Sequence, residues 1–320
     1  MSASSLATPH ISIVVPVYKA QSCLHELCRR LTAALEPLSP DFEVILVEDC
    51  GGDRSWQIIE ELSKADPRVK GLQFSRNFGQ HYGITAGLDY CKVDWAVVMD
   101  CDLQDAPEEI PLLYRKAREG FDIVIAHRND SKQSFLKRAT ARVFYWLFSY
   151  LADLKYDHRA GNFRIMSRKA VKSFRLFKEE LRFFGALVNW MGFETAYVDV
   201  QHAVRYEGKS TYTYRKLYEL AVDTILAYSD KPLKLAVKLG FCVTALSFAY
   251  GTYIVFKALV YGIPISGWAS LIVSIYFLGG VTIAILGVIG VYLGKTFDQT
   301  KGRPLYLVDK TTLNINAENS

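Results

Sequence analysis

Two aspartates separated by one residue carry the strongest chemical signal in this sequence of 320 residues. Asp100 and Asp102 follow the apolar run Trp95–Met99, which predicts a buried strand. Two carboxylates this close repel each other unless a cation lies between them. Oxygen ligands of this kind suit Mg²⁺ or Mn²⁺, ions that normally also bind substrate phosphates. The pair therefore indicates metal-assisted chemistry on a phosphorylated substrate.

Short apolar runs alternate with helical patterns in the first part of the chain. The runs predict strands at Ile11–Val17, Phe42–Val47, Val69–Phe74, Trp95–Met99 and Phe121–Ala126. The patterns between them predict helices at Leu24–Leu35, Trp56–Ala65, Gly83–Tyr90 and Glu108–Glu119. This alternation predicts an α/β fold with an open, mostly parallel sheet, whose ligands bind beyond the carboxyl ends of the strands.

Polar residues follow the other predicted strands as well. They are Pro16 and Tyr18 after the first strand, Glu48 and Asp49 after the second, and Ser75–Gln80 after the third. A lone acidic residue at such a place is commonly a helix N-cap, and we expect that role for Asp53 and Asp105. The paired carboxylates instead indicate a binding site at this edge of the sheet.

Composition excludes two classes of protein and reveals a charge pattern. Half of the residues are hydrophobic and only six are cysteine, which excludes a disordered chain and a disulfide scaffold. Residues 1–127 carry 12 basic and 19 acidic side chains, whereas residues 128–230 carry 18 and 11. The acidic segment suits a metal site and the basic segment suits an anionic, phosphate-bearing partner. We expect no nucleic-acid partner.

The last third of the chain contains two long uncharged runs, Leu239–Phe256 and Ala258–Gly294. Because a membrane span needs about 20 apolar residues, we predict transmembrane helices at about 235–258 and 268–293. Basic residues flank the pair and the connecting loop has none, so the positive-inside rule predicts a cytoplasmic location for both termini. The predicted organisation is a tail at 1–10, a cytoplasmic domain at 11–210, an interfacial amphipathic helix at 211–232, a membrane hairpin at 233–294 and a cytoplasmic tail at 295–320.

Five motifs in register resemble those of glycosyltransferase family 2. They are Ile13–Tyr18, Glu43–Asp49, Ser75–Gln80, Met99–Asp105 and Tyr206–Ser210. With the hairpin, the chain more narrowly resembles polyprenyl-phosphate (bactoprenol) glycosyltransferases, relatives of dolichol-phosphate mannose synthase. The resemblance implies a GT-A type, Rossmann-like domain that transfers a sugar, with inversion, from a nucleotide sugar to a membrane polyprenyl phosphate. It also implies a divalent metal, and UDP as the nucleotide.

The resemblance further implies roles for individual residues. The nucleotide would be bound by Pro16, Tyr18, Glu48, Asp49, Arg76 and Asp100, and the metal and diphosphate by Asp100, Asp102 and Gln104. We expect a loop with Arg205, Lys209 and Ser210 near the diphosphate. The family motif Gly-Asp-Phe-Arg reads Gly161-Asn-Phe-Arg164 here.

An attacking phosphate must approach a diphosphate, and the repulsion costs several kcal/mol. A cationic clamp is therefore needed, preferably arginine, whose fork matches phosphate oxygens. The basic segment offers Arg128, Lys132, Lys137, Arg138 and Arg142, of which the resemblance favours Arg128 and Arg138, and Arg164 is a further candidate. A phosphate nucleophile is already ionised, so a general base is less necessary. Asp157 is the candidate base, with a salt bridge to Arg159 or Arg164 as the alternative.

Two basic and aromatic segments, Phe135–Leu151 and Thr211–Tyr228, are typical of interfacial helices, and packing in the core or between subunits is the alternative. Five glycines in the second membrane helix would allow close packing in a homo-oligomer: Gly279, Gly280, Gly287, Gly290 and Gly294. The leading hypothesis is an inverting polyprenyl-phosphate sugar transferase at the cytoplasmic membrane face. The alternatives are a processive polysaccharide synthase and a non-catalytic scaffold or sugar-nucleotide sensor.

Overall fold

The computed structural model describes residues 9–128, 160–180, 182–200, 229–261 and 267–313. These residues fall into two compact units. The first unit contains the described residues before 129, those between 160 and 200, and those from Arg303 onward, and the second contains those from Ser229 to Gly302. The first unit is a sheet covered by helices, and the second is a pair of long helices.

Eight strands make one sheet in the first unit. They are β1 (Ile11–Val17), β2 (Phe42–Glu48), β3 (Val69–Phe74), β4 (Trp95–Val98), β5 (Ile123–Arg128), β6 (Ala160–Ser167), β7 (Thr195–Val200) and β8 (Val308–Thr311). The described helices are α1 (Leu24–Leu35), α2 (Ser55–Ala65), α3 (Gln80–Tyr90), α4 (Ile110–Ala117, after a short 3₁₀ turn), α5 (Arg168–Phe174), α6 (Phe184–Trp190), α7 (Lys231–Tyr261) and α8 (Trp268–Thr300).

The strand order is β7-β5-β6-β4-β1-β2-β3-β8. Strands β4, β1, β2 and β3 form the parallel block that the sequence predicts, and β5 pairs in parallel with β7. Strand β6 is antiparallel and lies between β4 and β5, so the fifth predicted strand does not join the parallel block directly. Strand β8 adds an antiparallel edge beside β3. The α/β fold is confirmed, with a sheet more mixed than the strand–helix alternation indicates.

The first strands are buried on both faces, as their continuous apolar sequences predict. Every residue of β1 and β2 is buried. Helix α3 approaches β1 closely because it presents glycine there. A Cβ at Gly87 would lie 2.2 Å from Val14 Cγ1, and one at Gly83 would lie 3.2 Å from Pro16 Cβ. This close approach sets the position of the first turn of α3, which carries Gln80.

The second unit contains two apolar helices that are long enough to cross a membrane. Their most apolar stretches, Lys231–Lys257 and Val273–Thr300, have mean hydropathies of 1.6 and 2.1, and neither stretch is buried in the protein. The 31 residues of α7 and 33 residues of α8 both exceed the length that the hydrocarbon core requires. The two apolar C-terminal helices predicted from the sequence are therefore present, with longer bounds than predicted.

Candidate active site

Asp100 and Asp102 lie just beyond the carboxyl end of β4. Asp100 Oδ1 accepts hydrogen bonds from Gln80 Nε2 at 2.7 Å and from Asn162 Nδ2 at 3.2 Å. Gln80 is the first residue of α3 and Asn162 lies on β6. Donors from two neighbouring elements therefore fix the orientation of the Asp100 carboxylate.

Asp102 lies in the turn that follows. Leu103 adopts a φ of 59°, a left-handed conformation that is costly for a branched side chain. Within this turn, the Gln104 amide N–H donates a hydrogen bond to Asp102 Oδ1 at 3.2 Å. Asp100, Asp102 and Gln104 are all half-buried, in contrast to the buried strand residues that precede them.

The donor set at this turn fits a divalent metal that shares its coordination with a substrate. Among the described residues, no group of three or more histidine, cysteine or acidic side chains is placed to hold a metal by itself. Mg²⁺ commonly takes only one or two carboxylates from a protein and completes its octahedron with substrate phosphates and water. Asp100 and Asp102 are the two carboxylates available for such a site.

A second pair of carboxylates lies at the carboxyl end of β2. Glu48 and Asp49 are only 2% and 3% exposed. The Glu48 carboxylate accepts bonds from the Gly51 amide N–H at 2.6 Å and from Gln73 Nε2 at 3.0 Å. The protein therefore anchors both oxygens of the buried Glu48 carboxylate.

The loop after β3 wraps around the Asp49 carboxylate. Asn77 Nδ2 and the Gly79 amide N–H donate to Asp49 Oδ2 at 3.0 and 2.8 Å, and the Phe78 amide N–H donates to Oδ1 at 2.7 Å. Gly79 has a φ of 108°, which only glycine adopts readily. Burial raises the pKa of Asp49, against the lowering effect of the two amide bonds. Oδ1 accepts only one of the three bonds, and a carboxylate oxygen can accept about two.

Tyr18 and Arg76 occupy the rim of this region. Tyr18 follows β1 and is 47% exposed, with Lys19 Nζ 5.4 Å from its ring centroid. The Arg76 guanidinium lies 4.2 Å from the Phe78 ring centroid. Arg76 also lines a cavity of about 320 Å³ together with Phe78, Tyr82, Glu180, Arg303, Pro304 and Leu305.

Sequence comparison identifies the family to which this arrangement belongs. Residues 12–175, which include β1 to β6 and both carboxylate pairs, match the model for Glycosyl transferase family 2. The chain belongs to glycosyltransferase family 2. The match confirms the family that the five motifs resemble.

Full-length relatives extend the similarity of this family 2 glycosyltransferase to its C-terminal helices. An uncharacterized glycosyltransferase, YkcC of Bacillus subtilis (strain 168), is 40% identical over 301 residues, which cover 94% of this chain and 93% of that protein. The SfII prophage-derived bactoprenol glucosyl transferase of Shigella flexneri is 36% identical over 302 residues, covering 94% and 98%. The prophage bactoprenol glucosyl transferase homolog of Escherichia coli (strain K12) is 35% identical, covering 94% and 98%.

Solved structures support the GT-A type fold of the family 2 domain. Glucosyl-3-phosphoglycerate synthase from Mycobacterium tuberculosis, in complex with phosphoglyceric acid, aligns with a TM-score of 0.51 at 15% identity. The alignment covers 68% of this chain and 78% of that protein. The complex of the same synthase with Mn²⁺, UDP and phosphoglyceric acid aligns with a TM-score of 0.50 at 16% identity, covering 68% and 77%.

Arg164 of this glycosyltransferase is 3% exposed. Its Nη2 donates to the Gly161 carbonyl at 2.7 Å, and its guanidinium lies 4.6 Å from the Phe184 ring centroid. These contacts support the start of β6, which presents Asn162 to Asp100. The predicted contact of Arg164 with an acceptor phosphate stays a prediction.

Several residues of the site have roles that the sequence analysis did not assign. Gln80 and Asn162 orient Asp100, and Asn77 anchors Asp49. Gln80 and Asn77 belong to the third motif, Ser75–Gln80, and membership of that motif was the one sequence feature that pointed to them. Asn162 stands where the family motif has an acid, and its residue type alone did not indicate a contact with Asp100.

Other predicted residues lie outside what the structure describes. These are Lys132, Arg138, Asp157, Arg205, Lys209 and Ser210, together with the segments 135–151 and 211–228. Arg128 is the last residue of β5, and its side chain is not among those described. The roles assigned to all of these residues stay predictions.

Proposed function

We propose that this glycosyltransferase moves a sugar from a nucleotide diphosphate sugar, with UDP as the nucleotide, to a membrane polyprenyl phosphate. The observation that carries the proposal is the meeting of two carboxylate pairs at one edge of a family 2 domain whose chain continues into two apolar helices. Bactoprenol glucosyl transferases named among the relatives support a polyprenyl acceptor. The synthase that aligns in fold binds UDP and Mn²⁺, which supports the choice of donor and metal.

In the proposed mechanism, the β1 and β2 ends bind the nucleoside. The exposed face of the Tyr18 ring stacks on the base. The remaining acceptor capacity of Asp49 Oδ1 receives an N–H of the base or a hydroxyl of the ribose. Because the loop after β3 fixes this carboxylate before the donor arrives, little ordering is lost on binding.

The β4 end binds the diphosphate. Asp100, Asp102 and Gln104 would hold the divalent ion, which would supply positive charge to the leaving diphosphate. Gln80 and Asn162 keep the Asp100 carboxylate in one orientation, so the site needs little reorganisation during the reaction. Arg128 and Arg138 would attract the acceptor phosphate toward the anomeric carbon, and Arg205, Lys209 and Ser210 would contribute positive charge and a hydroxyl near the diphosphate.

The acceptor phosphate attacks the face of the sugar opposite the diphosphate. A single displacement of this kind inverts the anomeric carbon, and an ionised phosphate needs no strong base. We therefore assign Asp157 an electrostatic or accessory role. NMR of the lipid product tests the inversion, since an α-linked donor must give a β-linked sugar phosphate, and an α-linked product would contradict the single displacement.

We also propose that both chain termini and the sheet domain are cytoplasmic. Lys231, Lys234 and Lys238 lie in the first turns of α7, and Lys295 and Lys301 lie at the end of α8, which supports this orientation by the positive-inside rule. A cysteine-reactive, membrane-impermeant reagent tests it on intact cells. Cysteines placed in the 262–266 loop of a variant lacking Cys242 should react, and labelling of Cys50 instead would contradict it.

Lipid extraction tests the activity itself. The full-length protein in detergent is incubated with radiolabelled UDP-sugars, Mg²⁺ and a polyprenyl phosphate, and the organic phase is counted. We expect labelled lipid, and loss of roughly 100-fold or more of the rate in Asp102→Asn. Asp199→Asn is the matched control, because this carboxylate is 76% exposed on β7. Labelled polymer without lipid would favour a polysaccharide synthase, and no transfer from any UDP-sugar would refute the proposed reaction.

A further inference from the structure

The segment after the last membrane helix returns to the sheet domain. Strand β8 pairs antiparallel with β3, with Thr311 opposite Leu72 and Val308 opposite Phe74. The pairing extends by one more hydrogen bond beyond β8, from the Thr312 amide N–H to the Gly71 carbonyl at 3.0 Å. We call residues Tyr306–Thr312 the C-terminal segment.

Tyr306 fixes the start of the C-terminal segment through two contacts. Its ring is stacked on Phe74, with centroids 5.3 Å apart and planes at 26°. Its hydroxyl donates to Asp89 Oδ2 on α3 at 2.8 Å. The side chain thus joins the end of β3 to the helix that carries Gln80.

The same contacts lead into the loop that holds Asp49. The amide N–H of Ser75, the first loop residue, donates to the Leu307 carbonyl at 3.0 Å. Phe74 also contacts the Phe78 ring edge-on, with centroids 5.4 Å apart. Phe78 in turn donates its amide N–H to Asp49 Oδ1. The chain of contacts therefore runs from Tyr306 through Phe74 and Phe78 to the buried carboxylate.

We propose that Tyr306 is a positioning residue for the donor nucleotide. It acts by holding Phe74 and the loop 75–79 in the conformation that aims Asp49, and it does not contact the substrate. The C-terminal segment is then a working part of the nucleotide site. The proposal rests on the proposed function of Asp49 as a nucleotide ligand.

Three variants separate positioning from general stability. Tyr306→Ala removes the stack and the hydroxyl, Tyr306→Phe removes only the hydroxyl, and the control Leu176→Ala trims a side chain that is 77% exposed and lies outside the C-terminal segment. We expect Tyr306→Ala to raise the KM for the UDP-sugar and the Kd for UDP about fivefold to tenfold. The kcat and the KM for polyprenyl phosphate should change by less than about twofold. Tyr306→Phe should recover most of the nucleotide affinity, and Leu176→Ala should match the wild type.

Amide hydrogen exchange provides a readout that does not depend on turnover. In Tyr306→Ala the amides of Phe78 and Gly79 should exchange faster than in the wild type, while those of β1 stay protected. If Tyr306→Ala does not fold, the same measurement on Tyr306→Phe decides, with a smaller acceleration expected at the same two amides. Unchanged UDP affinity and exchange in folded variants, or a loss confined to kcat, would overturn the proposal. UDP binding by the wild type without sugar transfer would overturn only the proposed reaction.

Discussion

His81 offers a prediction that can be worked out from its surroundings. It follows Gln80 on α3, and its Nδ1 is buried without a hydrogen-bond partner among the described residues. Its ring is edge-on to Phe183, with centroids 5.3 Å apart. Burial, and then the nearby charge of Arg164, lower the pKa of His81 from 6.5 to about 4. The imidazole is therefore neutral in the folded protein at physiological pH.

This shift makes the stability depend on pH in a definite direction. The unfolded chain takes up a proton at His81 near pH 6.5, whereas the folded protein resists it until about pH 4. The contribution of neutral His81 to the free energy of unfolding is therefore complete above about pH 6.5 and is lost as the pH falls toward about 4. One pKa unit corresponds to about 1.4 kcal/mol, so the loss attributable to His81 between pH 7 and pH 4 is about 3 kcal/mol.

The test compares His81→Gln with the wild type and with His25→Gln, whose imidazole is exposed on α1. The free energy of unfolding is measured by urea titration in constant detergent, followed by tryptophan fluorescence, at several pH values. Because other groups titrate in both proteins, the quantity of interest is the difference between variant and wild type. His81→Gln should gain about 3 kcal/mol relative to the wild type between pH 7 and pH 4. Parallel pH profiles for the wild type and His81→Gln would refute the reasoning.

Three further predictions concern the site and its support. Gly87→Ala should lower the free energy of unfolding by about 1–3 kcal/mol in the same urea assay, because the new Cβ overlaps Val14. The control is Gly120→Ala, where the new Cβ lies in open space. At a φ of 112°, this variant should cost only about 1 kcal/mol of backbone strain. Asn162→Ala should lower kcat about tenfold in the lipid assay by releasing Asp100, and an unchanged kcat would exclude that role. Chelation by EDTA should abolish transfer and added Mg²⁺ or Mn²⁺ should restore it, whereas full activity in EDTA would exclude a metal role for Asp102.

The parallel half of the sheet was predictable because its strands are buried on both faces. Strand β1 was predicted at its observed bounds, and β2 within one residue, from continuous apolar runs. Strand β8 carries no such pattern, since it has four residues that include Asp309 and Lys310 and lies at an edge. The sequence places 295–320 in a separate tail, whereas α8 continues to Thr300 and β8 joins the sheet. Because β3 and β8 are separated by more than 200 residues, no local sequence pattern indicates that they pair.

The carboxylates of the site were predictable for a similar reason, because acids directly after apolar strands are conspicuous. The residues that hydrogen-bond to these carboxylates were not predictable. Asn77, Gln80 and Asn162 act through side-chain hydrogen bonds that depend on how separate elements meet in the fold. Arg164 was predicted to contact phosphate from its charge, and its burial beside Phe184 could not be deduced from residue type.

The two carboxylate pairs follow β2 and β4, the strands on either side of β1, and they look alike in the sequence, yet their surroundings differ. Glu48 and Asp49 are almost fully buried and accept bonds from main-chain amides and amide side chains. A hydrated divalent ion would have to displace those donors to reach them, at a cost of about 1–3 kcal/mol for each group left unsatisfied. Asp100 and Asp102 are half-buried in a turn, where an ion can keep part of its water and gain a phosphate. This difference supports the proposed assignment of the metal to the end of β4 and of the nucleoside to the end of β2.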